Sequence, residues 1–254
     1  MSAAVSISIV TYNNEDIIAE LLESLQTHCN PDNLDVHVVD NCSHDSTVAI
    51  VRERFPWAKV LVNQRNLGYG SANNRVLEQL SSKYHFIINP DILFVEDSIS
   101  VLAAWLDGDE GAVIATPRIL NPDGSEQKLP KLKPRLKYIL ARRLGGDARW
   151  AQRLREEYTR AAEEFSQPTE IENSTGCFLA IRTAALRQLD GFDERYFMYF
   201  EDTDLSARAR KLGRIMFCPQ TAVLHRYQRA STTNPLAFVT HCLSALKFFI
   251  KNGW

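Results

Sequence analysis

The chain has 254 residues, the size of one large domain or of two small ones sharing a core. Hydrophobic residues make up 45% and charged residues 24%, which excludes wholesale disorder. The 29 basic and 31 acidic side chains leave a formal charge of −2, a balance that argues against a dedicated nucleic-acid binder.

The first half alternates between two periods. Val5, Ile7 and Ile9 alternate with Ser6 and Ser8, a strand signal, and no basic leader precedes them, so the start reads as a strand rather than a signal peptide. Asn14 is positioned to cap a helix whose apolar face is Ile17, Ile18, Leu21, Leu22 and Leu25. Strands follow at 36–39, 60–62, 85–88 and 113–115, with helices over 46–54, 71–80 and 97–106 between them. This alternation predicts an α/β fold with a mostly parallel sheet covered on both faces.

Residues 128–160 differ in composition. Eleven basic side chains against Asp147, Glu156 and Glu157 give a local charge of +8, interrupted by Tyr138, Ile139, Leu140, Leu144, Trp150 and Leu154. The segment is either a basic amphipathic arm for anionic lipid or a pyrophosphate-linked substrate, or a solvated helical insertion. Beyond it come a strand at 177–181, a short helix at 183–189, and a helix opened by Glu201-Asp202-Thr203-Asp204. Strands at 215–217 and 222–224 lead to His225 and a polar stretch, 226–234, before an amphipathic helix over 235–250.

No apolar run approaches the roughly 18–20 residues that span a bilayer. The five cysteines are scattered without C-x-x-C spacing, which fits a reducing cytoplasm and supports neither a zinc site nor a disulfide framework. The polar residues are informative by position. Thr11-Tyr12-Asn13, Asp40-Asn41, the Asn66-Leu67-Gly68-Tyr69-Gly70 loop and Asn89-Pro90-Asp91 all follow strands, on the carboxyl edge where open parallel sheets bind ligands. Gly68-Tyr69-Gly70-Ser71-Ala72-Asn73 lacks the third glycine of a dinucleotide fingerprint and follows the third strand, so an oxidoreductase is disfavoured. There is no P-loop and no G-x-S-x-G elbow. Asp91 suits a hard divalent cation that keeps waters and substrate phosphates, or else serves as a turn residue. The acidic run at 201–204 is either a set of helix-start acids or a partly desolvated general base, since the aromatic segment 195–200 precedes it.

Val10-Thr11-Tyr12-Asn13, Val39-Asp40-Asn41-Cys42-Ser43, the Asn66–Gly70 loop, Asn89-Pro90-Asp91, Gly191-Phe192-Asp193-Glu194 and Phe200-Glu201-Asp202-Thr203-Asp204-Leu205 stand in order. Together they resemble the inverting family-two glycosyltransferases of the GT-A fold, and among them the bacterial rhamnosyltransferases that build cell-surface polysaccharides. The likeness spans roughly residues 5–235. It implies one GT-A domain over 1–254: a nucleotide-sugar half at 1–120, the basic insertion at 128–165, and an acceptor and catalytic half at 170–254.

By that resemblance Thr11, Tyr12 and Asn13 line the nucleotide, Asp40 pairs with its base, and Asn41 lies close by. Asn66, Gly68 and Asn73 contact the nucleotide or donor sugar. Asn89-Pro90-Asp91 stands where relatives carry D-x-D; the neutral Asn89 leaves Asp91, with His225, to hold Mg²⁺ or Mn²⁺. Asp202 is the catalytic base and Glu201 shapes the acceptor site. The donor is a nucleotide-sugar, dTDP-L-rhamnose or a UDP-sugar, and the acceptor a polyprenyl-pyrophosphate-linked saccharide. The expected location is cytoplasmic, peripheral at the inner face of the plasma membrane.

Overall fold

The computed structural model describes residues 4–226 and 235–253, apart from the side chains of residues 143, 235 and 236. Its strands are β1 Val5–Thr11, β2 Leu34–Asp40, β3 Lys59–Val62, β4 Tyr84–Ile88, β5 Ile92–Phe94, β6 Ala112–Leu120, β7 Thr169–Ile171, β8 Phe178–Arg182 and β9 Arg214–His225. Its helices are α1 Ile18–His28, α2 Thr47–Arg54, α3 Tyr69–Asn74, α4 Ser98–Gly108, α5 Leu136–Leu144, α6 Arg149–Thr159, α7 Thr183–Gln188, α8 Glu201–Ala209 and α9 Pro235–Asn252.

One sheet runs β3-β2-β1-β4-β8-β6-β9-β5, with β7 pairing β9 off this path. The four strands on the β3 side, β3 to β4, are mutually parallel, as are β6 and β9. β8 runs antiparallel between β4 and β6, and β5 and β7 run antiparallel to β9. The reversal of β8 matters for function. Its amino-terminal end meets the carboxyl end of β4, so residues just before β8 face the same edge as the loops after β1 to β4.

Each face of the sheet is covered. Leu21, Leu25, Val51, Leu102 and Leu106 of α1, α2 and α4 pack with Ile7, Ile9 and Phe86 on one side. Ala72, Leu186, Leu205 and Ala209 of α3, α7 and α8 pack with Val10, Ile87 and Leu179 on the other. Ser6 and Ser8 are therefore fully buried, not solvent-facing. Ser6 Oγ lies 2.8 Å from His85 Nδ1, and Ser8 Oγ lies 3.0 Å from His85 Nε2. Burial drives the His85 pKa down to about 3, so this internal imidazole is neutral.

Several local expectations change. The helix expected over 71–80 is only α3, followed by a 3₁₀ turn at Leu77–Gln79. Asn73, inside α3, sends its side chain into the sheet, accepting from Ser8 Oγ at 2.6 Å. Asn14 does not cap α1 with its side chain; its Oδ1 accepts from Tyr12 N at 2.7 Å, while its carbonyl accepts from Ile18 N. The expected strands at 215–217 and 222–224 are one strand, β9, whose pairing with β6 is interrupted by a register shift between Pro117 and Arg118. Pro117 lacks the amide a regular ladder requires. β5 and β7, each three residues long, carry too little periodicity to be expected. The basic segment forms the helical pair α5 and α6, joined by a stacked Tyr138–Tyr158 pair with centroids 4.6 Å apart. The polar stretch after His225 lies, from residue 227, outside the described residues.

Candidate active site

β1 and β2 end side by side, and Thr11 and Asp40 are opposed in register. Asp40 is 1% exposed. Its Oδ1 accepts from Thr11 Oγ1 at 3.0 Å and Ser43 Oγ at 2.5 Å, and its Oδ2 accepts from Ser43 N at 2.8 Å. Ser43 thus anchors Asp40. Asn13, in the left-handed region at φ +53°, donates its amide to the same Ser43 Oγ and accepts from His44 N. Tyr12, next to Thr11 in sequence, is 45% exposed. A flat aromatic ring beside a buried carboxylate is suited to stacking on and pairing with a nucleobase.

Asn41 is buried and works on the next loop. Its Nδ2 donates to Gly68 O at 3.1 Å, and its Oδ1 accepts from Asn63 Nδ2 and Leu67 N. Asn66 Oδ1 accepts from Gly68 N at 2.9 Å, closing the turn. Gly68 is at φ +85°, and a Cβ there would lie 2.2 Å from Phe197 O, so no other residue fits. Asn73 Nδ2 donates to Tyr69 O at 3.1 Å, so its amide is committed within the fold on both sides. Asn41, Asn66 and Asn73 shape the loop from beneath it.

The acidic run at the start of α8 divides by role. Asp204 is fully buried and bonded to Arg208 at 2.7 Å and Lys251 at 2.7 Å, tying α8 to α9. Glu201 is buried, and its Oε2 has no hydrogen-bond partner among the described residues. Burial, reinforced by the Asp202 charge, lifts its pKa to about 8, so Glu201 is neutral at pH 7. Asp202 is partly exposed. Its Oδ2 accepts from Gly176 N at 2.8 Å and its Oδ1 from Thr203 N at 2.7 Å. Burial raises its pKa and these amides pull the other way, leaving a carboxylate of enhanced basicity held in one orientation. Tyr199 and Phe200 both sit at positive φ, +69° and +66°, forming the sharp turn that delivers Glu201 and Asp202. Such conformations cost about 1–3 kcal/mol each, and they occur here immediately before the two acids.

The raised Glu201 pKa predicts a pH effect on stability. The folded protein holds this proton between the ordinary glutamate range, near 4.5, and about 8, while the unfolded chain releases it. Stability contributed by the neutral form is complete at acid pH and is lost as pH rises through that window. Glu201→Gln is expected to remove that slope, so urea midpoints of the variant should gain on wild type between pH 5 and 8. Parallel midpoint curves would exclude the buried proton.

Asn89 and Asp91 flank the turn after β4, and His225 ends β9. His225 Nε2 lies 3.2 Å from Asp91 Oδ1. On its other side, His225 Nδ1 is 3.0 Å from Gln127 Oε1. The two acids expected at opposite ends of the chemistry, Asp91 and Asp202, are joined by two consecutive residues. Gly176 N holds Asp202, while Cys177 O accepts from Asn89 N at 2.8 Å. The buried Cys177 thiol is raised to about 12, chiefly by burial, and it feels the negative charge of both Asp91 and Asp202. Tyr69 completes the junction: its hydroxyl donates to Gly176 O at 2.7 Å. The Asn89 turn, the Tyr69 loop and the start of α8 therefore meet at residues 176–177.

Gly176 and Gln127 stand in none of the sequence motifs, while Ser43 and Tyr69 stand in them with no role assigned. The polar run Asn173-Ser174-Thr175-Gly176 before β8 was the available signal, but its meaning depends on β8 being antiparallel.

The residues fit a divalent cation in part. Asp91 and His225 offer one oxygen and one nitrogen donor that converge, and Asn89 adds no charge. Among the described residues no group of three or more His, Cys, Asp or Glu is arranged for a metal. Two protein donors suit a cation that takes its other ligands from phosphate and water.

The family model "Glycosyl transferase family 2" matches residues 6–190. N-acetylglucosaminyl-diphospho-decaprenol L-rhamnosyltransferase of Mycobacterium tuberculosis is 29% identical across 100% of this chain and 87% of its own. Rhamnosyltransferase WbbL of Escherichia coli K12 is 24% identical over 87% of this chain and 83% of its own. Among solved structures, Staphylococcus aureus TarS 1-349 in complex with UDP-GlcNAc superposes with a TM-score of 0.64 at 21% identity, covering 98% of this chain and 67% of that one. The mannosyltransferase PcManGT of Pyrobaculum calidifontis, in complex with GDP-Man and Mn²⁺, gives 0.65 at 17%, covering 100% and 66%. A family model spanning residues 6–190, most of the chain, assigns the molecule: the chain belongs to glycosyl transferase family 2.

Proposed function

We propose that the chain is an inverting rhamnosyltransferase, moving L-rhamnose from dTDP-L-rhamnose to a polyprenyl-pyrophosphate-linked GlcNAc in cell-surface polysaccharide synthesis. The two rhamnosyltransferase relatives support the sugar, and the name of the mycobacterial relative supports the acceptor. The observation that carries the chemistry is the junction at 176–177, which sets Asp202 and the Asn89-Pro90-Asp91 turn on one piece of backbone.

In this reading Tyr12 stacks on the base and Asp40, fixed by Thr11 and Ser43, pairs with it. The Gly68 loop approaches the donor closely because it carries no side chain. Asp91 and His225 would hold Mg²⁺ or Mn²⁺, which supplies charge neutralisation for the departing pyrophosphate. Asp202 accepts the proton of the acceptor hydroxyl as it attacks the far side of the sugar, a contribution of about 10²–10⁴ in rate. A single displacement inverts the anomeric centre. Glu201, neutral beside Asp202, avoids a second negative charge in the acceptor pocket.

Transfer assays with dTDP-L-rhamnose and UDP-sugars, on a synthetic polyprenyl-pyrophosphate GlcNAc with Mn²⁺, test this. Product from dTDP-L-rhamnose with inverted configuration is expected; turnover of a UDP-sugar alone would overturn the donor assignment.

A lipid-linked acceptor places the enzyme at a membrane surface. No helix among the described residues is long and apolar enough to cross a membrane. Arg135, Lys137, Arg142, Arg149 and Arg153 are exposed around the equally exposed Leu136, Leu140, Leu144 and Trp150. Cations around exposed apolar side chains favour an anionic lipid surface. Sedimentation with anionic vesicles should fall as salt rises, since surface charge is screened over about 10 Å at 0.1 M. Binding to neutral vesicles with no salt dependence would refute the anionic contact.

A further inference from the structure

The His225 ring is gripped from the side away from Asp91. Gln127 is buried, and its Nε2 donates to the His225 carbonyl at 2.9 Å. A flipped amide would set two acceptor oxygens against each other at that distance, so hydrogen-bond chemistry selects one orientation. Gln127 Oε1 then faces His225 Nδ1 at 3.0 Å. An amide oxygen only accepts, so Nδ1 carries a proton. In the neutral ring the lone pair consequently resides on Nε2, the nitrogen 3.2 Å from Asp91 Oδ1.

The backbone of Gln127 is pinned as well. Its amide donates to Ile119 O at 2.9 Å, and its carbonyl accepts from Leu129 N at 2.8 Å. The glutamine is thus fixed to β6 at the foot of the basic insertion, with its side chain reaching across to the end of β9.

We propose that Gln127 is a positioning residue that locks His225 as the Nδ1–H tautomer, presenting the Nε2 lone pair beside the Asp91 carboxylate to a divalent cation. The proposal rests on the reading of Asp91 and His225 as the cation pair. A lone pair directed at a carboxylate oxygen is repulsive by itself and becomes favourable when a cation sits between them. Partners on the far nitrogen of a metal-binding histidine set its tautomer, and their loss typically weakens metal affinity by about 10–100-fold.

The test uses the whole chain with ¹⁵N-labelled histidine, assigned by His225→Gln. In metal-free wild type at pH 9, long-range ¹H–¹⁵N spectra are expected to show the His225 proton on Nδ1, a measurement that needs no Gln127 variant. Gln127→Met, close in size but without an acceptor, should shift the proton toward Nε2. Manganese EPR titrations with dTDP present should show Mn²⁺ held about 10–100-fold more weakly by that variant. Gln127→Glu, which keeps an acceptor opposite Nδ1, should retain the Nδ1 proton. A wild-type ring protonated on Nε2, or a Gln127→Met protein with unchanged tautomer and Mn²⁺ affinity, overturns the proposal. Wild type that shows the Nδ1 proton yet takes up no Mn²⁺ marks instead the failure of the cation reading.

Discussion

Asp202→Asn is expected to lower kcat by at least ~10², and up to ~10⁴, with little change in the affinity for dTDP. The amide keeps the size of the side chain and an oxygen to accept from an amide hydrogen, so the Gly176 and Thr203 contacts that orient residue 202 persist in part. What it loses is the capacity to take a proton. The side-chain hydrogen bonds of Asp202 run to Gly176 N and Thr203, and none runs to Thr11, Asp40 or Asn41, so binding of the base has no direct reason to change. Steady-state kinetics together with calorimetric dTDP titration check both halves. A variant turning over within threefold of wild type would remove Asp202 from the base role.

Asp91→Ala should act on a different quantity. It deletes the one charged oxygen donor of the Asp91–His225 pair, since Asn89 is neutral. Donor affinity measured with Mn²⁺ should fall at least tenfold, while affinity measured in EDTA should barely move; turnover should fall with the former. Calorimetry giving the same Mn²⁺-dependent donor affinity as wild type would contradict this. The two variants separate the two faces of the reaction: one alters proton transfer with binding preserved, the other alters cation-dependent binding.

Much of the architecture was legible in the residues. The strands β1, β2, β4 and β8, the helices α1, α4 and α8, and their alternation follow from apolar periodicity, which is local. Failures occurred where a long-range partner overruled local preference. Asn73, which the resemblance places near the donor, is also held by Ser8 of the sheet, a contact no local pattern shows. Asn14 looks like a cap, yet it closes the turn after β1 through Tyr12 N. Ser6 and Ser8 are polar positions in a strand covered on both faces, and His85 of β4 takes up their hydroxyls.

The same division separates the roles within the acidic run. Glu201, Asp202 and Asp204 are equivalent as a string of letters, but one is neutral and buried, one is oriented by Gly176, and one is neutralised by Arg208 and Lys251. Helical spacing turns consecutive residues by roughly 100°, so neighbours in sequence meet different surroundings.

Sequence alone determined the layered α/β plan, the polar edge along the parallel strands and the order of the family's motifs, because each is written in short-range pattern and composition. Tertiary structure decided that β8 runs backwards, that residues 176–177 therefore bridge the Asn89 turn to Asp202, and that Gln127 faces His225. Strand direction and side-chain partnership are settled by contacts between residues 26 to 98 positions apart, which no local periodicity encodes.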